Sequence, residues 1–256
     1  MIYFETGYEG EVHDLEHPRI LWNSICRRAT VAASSQAAGF PAINALTATT
    51  YDAWKPVTLP ASWTLTFDGV EPVNAVAIDT HTIGSSGAML RVDMWNGTIW
   101  VNLIDVSPID DEPIAILFNS ISTDRLRITL TGSVVPQIAV IHFCNALELP
   151  QTVYMGAPTP IDMALATEFD TNISTGGRYM GRSVRYTKTE NEFTVAHLTE
   201  QFVREELMPF IKDAREYPYF LLERPLSQPT ALSYRWRKED IRPARMGIKS
   251  YMQVSL

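Results

Sequence analysis

Residues Leu90–Leu103, LRVDMWNGTIWVNL, decide the fold class. Asn96-Gly97 stands between two runs that alternate apolar with polar. Both central positions of a type I′ turn need a positive φ, which Asn and Gly tolerate, so the stretch reads as a hairpin with a two-residue turn. That turn sets the partners Trp95–Thr98, Met94–Ile99, Asp93–Trp100, Val92–Val101, Arg91–Asn102 and Leu90–Leu103. One face is then Leu90, Val92, Met94, Ile99, Val101 and Leu103; the other carries Arg91, Asp93, Trp95, Thr98, Trp100 and Asn102. A slip of one residue would bury Arg91 and Asp93, so the apolar face marks the core side.

The neighbouring text has the same character. Thr30–Ala33, Ser62–Phe67, Ala75–Asp79, Ile114–Phe118, Arg125–Leu130 and Gln137–Phe143 are candidate strands. Asp68-Gly69, Gly84-Ser85-Ser86-Gly87 and Thr131-Gly132 punctuate them. Short strands at this spacing, with no convincing helix between them, point to an antiparallel sandwich.

The order of several blocks adds a resemblance. Ala32–Ser35, Pro41–Leu46, Tyr51–Trp54 and Trp63–Asp68 are followed by Val73–Ile78, Asn96–Trp100, Leu126–Ile128 and Ile138–Ile141. In this order they resemble a discoidin domain (coagulation factor 5/8 type C, galactose-binding-like) over about half the chain. The resemblance implies an eight-stranded jelly-roll sandwich that binds glycans, lipids or proteins through loops at one end and rarely catalyses. It also places Cys26 and Cys144 at the two ends of the module, where members often carry a disulfide. The start of the chain is acidic and has no basic-then-apolar leader, so a reducing compartment and neighbouring free thiols are expected.

Two loops supply candidate ligand residues: Phe40, Tyr51, Trp54 and Lys55 in 36–60, and His81, Ser85 and Ser86 in 80–88. Aromatic faces beside hydroxyl and amide groups suit a sugar, which presents a C–H face and a polar edge. The competing reading is that Trp54 and Trp63 plug the sandwich ends while Trp95 and Trp100 pack under a loop. No cofactor is expected. Asp110-Asp111-Glu112 before Pro113 could hold Ca²⁺ with backbone carbonyls, although such runs are usually solvated loops. Residues 1–20 are expected to form a mobile acidic arm that docks on a partner; the alternative, a divalent metal site at His13 and His17, four apart, has no third ligand at a suitable spacing.

The 256 residues carry a net charge of −8, unevenly spread. Residues 1–150 hold 7 Lys/Arg against 16 Asp/Glu, a net of −9, and residues 151–256 hold 14 against 13, a net of +1. General nucleic-acid binding needs cations and is disfavoured. No apolar run is long enough for a membrane-spanning helix, so no membrane insertion is expected. The charge asymmetry points to two units with different neighbours.

Residues 21–149 are expected to form the sandwich, 150–160 a proline-rich linker, and 161–256 a second, mostly β unit with one flanking helix. Ser183–Tyr186 and Glu192-Phe193 look extended. Thr194 is expected to cap a helix running through Lys212, its apolar stripe formed by Val195, Leu198, Phe202, Val203, Leu207, Phe210 and Ile211. Pro209 leaves the Glu205 carbonyl unpaired, which predicts a break near Met208. Tyr219–Leu222, Ala231–Trp236 and Tyr251–Leu256 read as strands. This order of elements resembles the tail-tube and distal-tail proteins of long-tailed bacteriophages, which assemble into rings. The cluster Arg235, Trp236, Arg237 and Arg242 is either an assembly surface, since Arg and Trp are favoured in interface cores, or a solvated strand end.

No phosphate-binding glycine loop, nucleophile elbow or Cys-x-x-Cys pair is present, and no paired carboxylates stand out for glycoside cleavage, so an enzyme is not expected. Together the two resemblances imply a virion protein assembled in the host cytoplasm. It would be a homo-oligomeric ring in a tail tip or baseplate, with other tail proteins and a host-surface glycan as partners. A stand-alone carbohydrate-binding module is the alternative.

Overall fold

The computed structural model describes residues 1–152, 160–189, 193–247 and 250–256. The strands up to residue 152 are β1 (Ile2–Phe4), β2 (Arg19–Leu21), β3 (Thr30–Ala33), β4 (Ala61–His81), β5 (Met89–Trp95), β6 (Trp100–Val106), β7 (Ile114–Thr131), β8 (Ile138–Cys144) and β9 (Leu147–Glu148). Beyond them come β10 (Leu165–Ile173), β11 (Tyr179–Thr189), β12 (Thr194–Thr199), β13 (Tyr219–Leu222), β14 (Leu232–Arg235), β15 (Ala244–Arg245) and β16 (Tyr251–Ser255). The fold is mostly β.

β4 and β7 are long because each serves both layers of a sandwich. Ala61–Thr66 pair with Leu130–Arg125 in a front layer ordered β3-β4-β7-β5-β6. Ala75–Ile78 pair with Leu117–Ile114 in a back layer flanked by β8 and β1. Register shifts between Thr66 and Glu71, and between Val73 and Ala75, mark the crossing. Candidate strands read as separate are therefore halves of continuous ones. Trp63, Leu65, Val92, Leu126 and Ile128 of the front layer meet Val76, Ile78, Ile116, Phe118, Ile141 and Phe143 of the back layer in one buried cluster.

The Leu90–Leu103 stretch is a hairpin, but not in the expected register. Asn96 Oδ1 accepts the N–H groups of Thr98 and Ile99 at 3.0 and 2.9 Å, and the Asn96 N–H donates to the Ile99 carbonyl at 3.2 Å. This Asx-type loop takes four residues, so Trp95 faces Trp100 and not Thr98. A bulge next to Val92 then pairs that residue with Ile104. Leu90 and Val92 are buried as expected, while Ile99 leaves the sheet and is exposed. The shift is two residues from Asp93 to Trp95 and three beyond the bulge, but β5 pairs with β7 without interruption, so its side chains keep their faces and its core assignment survives.

On the outer face of this layer Asp93 is 0% exposed. Arg91 Nε donates to it at 2.7 Å, and Arg127 donates from Nε and Nη2 at 3.1 and 2.9 Å. The Arg127 guanidinium lies 4.2 Å over the Trp100 ring, and Trp100 meets Trp95 edge-on at 5.3 Å. The carboxylate is thus buried by its own partners, the condition under which a buried charge is tolerated.

A further sheet, β14-β13-β2-β9, covers the outside of the back layer. β13 reads Tyr-Phe-Leu-Leu with no polar position, and all four residues are buried because it has cores on both sides. Phe220 and Leu222 pack with Leu21 against Ala75, Ala77, Ala115 and Leu117, and the three alanines let the two sheets approach. Tyr219 and Leu221 face Val203, Leu207, Phe210 and Ile211 of the helical segment, together with Val195, Leu198 and Val254 of the sheet β12-β16-β15.

Two expectations for the remainder are corrected. Residues 1–20 are tied in at both ends: β1 runs parallel to β7, and β2 is sandwiched between β13 and β9. Residues 194–199 form a strand, not the first helical turns. A register shift between Val195 and Leu198, with His197 at φ 60, spaces the two buried residues three apart and so mimics helical periodicity. The helix begins at Glu200, where Thr199 Oγ1 accepts the Phe202 N–H at 3.2 Å. Ahead of Pro209 the helix widens into a π turn, Val203–Leu207, at the expected break. Residues 153–159 of the expected linker, and Glu192 of the expected extended pair Glu192-Phe193, lie outside the described residues.

Candidate functional site

At one end of the sandwich β4 finishes at His81, β8 begins at Ile138, and the long loop between β3 and β4 crosses over them. Ile138 pairs with His81 on one side and exchanges two backbone hydrogen bonds with Trp54 on the other, at 2.8 and 2.9 Å. Trp54 is 0% exposed, and its Nε1 donates to the Ser35 carbonyl at 3.1 Å. It plugs the end of the core and presents no ring face to a ligand. Trp63 is buried in the same way, with Nε1 donating to the Ala42 carbonyl at 3.0 Å.

The other loop residues divide. The Lys55 N–H donates to the Phe40 carbonyl at 3.4 Å, which holds those two together at the rim. Phe40 is partly exposed, and Tyr51 projects into solvent with 82% of its surface exposed. His81 is buried: its Nδ1 accepts the Ile83 N–H, so Nε2 carries the proton and donates to the Glu112 carbonyl at 2.9 Å. Burial holds its pKa below the ordinary histidine value. His81 therefore anchors the turn Ile83–Ser86 to the acidic loop. Ser85 is exposed on that turn, and its N–H donates to Asp111 Oδ1 at 2.9 Å. Gly84 is required here, because a Cβ would stand 2.1 Å from the Asp110 carbonyl oxygen.

The acidic loop is ordered by its own side chains, Asp110 Oδ1 accepting the Glu112 N–H at 3.2 Å. Among the described residues no group of three or more His, Cys, Asp or Glu is placed to hold a metal ion. His13 and His17 instead stack ring on ring at 4.7 Å. Cys26 and Cys144 are free and buried, with burial pushing both thiols up.

Sequence reasoning missed a cleft of about 640 Å³ beside this end. Asp79, Asp110, Glu112 and Asp162 line it, with Met1, Leu165, Thr230 and Tyr234. Thr230 Oγ1 donates to Asp162 Oδ2 at 2.6 Å, and the terminal ammonium of Met1 donates to the Pro113 carbonyl. Burial raises the Asp79 carboxyl above its usual range. Such a cleft suits hydroxyl or cationic donors. Its residues come from five separate stretches of chain, and only the 110–112 run was visible as a local signal.

The C-terminal cluster is dispersed. Arg235 Nε donates to Ser233 Oγ at 2.6 Å within β14. Arg237 and Arg242 share Asp240 at 2.9 and 3.3 Å, and Trp236 is exposed.

Among the described residues, exposed apolar side chains also gather elsewhere, on the ribbon β10–β11. Cross-strand pairing puts Phe169 opposite Val184, Thr171 opposite Arg182 and Ile173 opposite Tyr179. Leu165, Phe169, Ile173, Tyr179 and Val184 therefore share one face, and all are exposed. The alternation in LATEFDTNI was the available signal for β10.

No protein-family model and no curated protein matches the chain. Solved structures are similar in fold at low identity. The family 32 carbohydrate-binding module of NanJ from Clostridium perfringens, in complex with galactose, is 15% identical; the match covers 51% of this chain and 99% of that one, with a TM-score of 0.43. Chitosan-binding module 1 of a chitosanase/glucanase from Paenibacillus sp. IK-5 is 18% identical over 47% of this chain and 98% of that one, at 0.41. A Ruminococcus gnavus GH29 fucosidase in complex with fucose is 13% identical over 49% of this chain and 27% of that one, at 0.42.

Proposed function

We propose that this chain is a structural component of a phage tail tip or baseplate. It self-assembles through residues 161–256 in a homo-oligomeric ring with other tail proteins, resides in the virion after assembly in the host cytoplasm, and displays its sandwich for attachment to a host-surface glycan. The observation that carries the reading is the exposed apolar face of β10–β11. A two-stranded ribbon is marginal in water by itself, and a contiguous exposed apolar face marks an interaction site. Trp236 and its arginines are offered on the same part of the chain. The glycan contacts of this reading are Phe40, Tyr51, Lys55 and Ser85, and the module is a non-catalytic binder.

Light scattering on the purified chain tests it. Rings of several copies are expected for the native chain, and monomers for a Phe169→Asp, Val184→Asp variant. A native chain that stays monomeric at every concentration would overturn the assembly reading. It would favour a stand-alone carbohydrate-binding module, for which the solvent-projecting Tyr51 is the specific support.

A further inference from the structure

We infer that the β10–β11 ribbon of one copy seats against the acidic cleft of a second copy, its arginines over Asp79, Asp110, Glu112 and Asp162. This rests on the assembly reading above and names the surface that receives the ribbon. Residues 165–189 carry Arg178, Arg182, Arg185 and Lys188 against Glu168 and Asp170, a net of +2. Arg182 lies on the apolar face itself, its guanidinium 4.0 Å over the Phe169 ring. A partner must therefore bring apolar contact and negative charge together. The cleft does both, since Leu165, Ile161 and Leu232 line it beside the four carboxylates.

The ribbon cannot use its own cleft. Leu165, its first residue, already lines that cleft, and β10 runs nine residues away from it, about 30 Å at the strand rise. The turn at Ser174–Arg178 therefore ends far from the root. The contact is between unlike surfaces, so it repeats head to tail and generates a ring when the rotation closes. Its charge pattern adds to specificity and speeds encounter more than it adds raw affinity.

Charge reversal tests the assignment. Arg178→Glu with Arg182→Glu reverses the ribbon, and Asp110→Lys with Glu112→Lys reverses the cleft; all four residues are exposed or on the surface turn. Each reversed chain alone should need about tenfold or more protein to assemble, judged by light scattering in low salt. The two reversed chains mixed one to one should assemble together, as should a chain carrying all four substitutions. Recovery on mixing also shows that each variant is folded. If the native chain assembles and the reversals leave that unchanged, this inference fails while the assembly reading stands. If the native chain never assembles, both fail. Loss in the single reversals without recovery in the mixture or the fourfold variant would also overturn it.

Discussion

The sandwich interior and the β10–β11 ribbon are built from the same alternation of apolar and polar residues, with opposite outcomes. In the sandwich, Trp63 and Leu65 of β4, which alternate with Thr64 and Thr66, are fully buried because the back layer covers them. In the ribbon, Phe169 and Val184 occupy equivalent positions on paired strands and remain exposed. The comparison teaches that alternation states which face needs a cover and says nothing about which chain supplies it. Where the cover is intramolecular, loss of a side chain should cost stability; where it is intermolecular, it should cost assembly.

The largest effect is expected inside the sandwich. Trp54→Ala removes a side chain with no exposed surface and breaks the Nε1 bond to Ser35. Denaturant unfolding should show a loss of about 3–5 kcal/mol, the range for a large aromatic cut back in a core. A loss near zero would mean that the loop collapses over the gap, and that Trp54 was free to serve a ligand after all.

The next effect is a titration. His142 sits in the layer between the back sheet and β13, its ring edge-on to Phe220 at 5.6 Å, and desolvation lowers its pKa from 6.5 to about 4. The folded protein therefore takes up this proton less readily than the unfolded chain. Stability should be full above about pH 6.5 and fall as pH drops toward 4, by roughly 3 kcal/mol for this group. His142→Gln should flatten that part of the profile. Buried His81 has the same direction, so some slope should remain. An unchanged profile in the variant would show that the acid loss arises elsewhere.

What could be read in advance follows the same division. β3 and β13 were legible to the residue, because four-residue strands with clear patterning owe little to distant context. Register was not: the Asn96 side chain chose a four-residue loop, and a single carboxamide decides that locally against the commoner turn. The strand at 194–199 looked helical because its bulge spaced Val195 and Leu198 three apart. The candidate site was legible only as loops. Tyr51 and Phe40 do project, but Trp54 and His81 turned inward, where an indole and an imidazole serve the core as readily as a ligand. The acidic cleft had a single local signal, the 110–112 run, since residues 1, 79, 162 and 230 join it only through the fold.

The smallest expected stability effect is the sharpest test of the comparison. Phe169→Ser with Val184→Ser removes two large apolar side chains, a change that would be severe in the sandwich. Both side chains are exposed, at 40% and 61%, so little buried area is lost and no enclosed cavity opens. The unfolding free energy of the monomer should move by no more than about 0.5 kcal/mol, as for surface substitutions generally. Assembly, read by light scattering on the same sample, should fall at once. A monomer destabilised by several kcal/mol would mean that the ribbon's apolar face is packed against its own chain in solution, and the distinction between the two regions would collapse. A monomer of native stability that no longer assembles would show that one pattern of alternation serves folding in the sandwich and association in the ribbon.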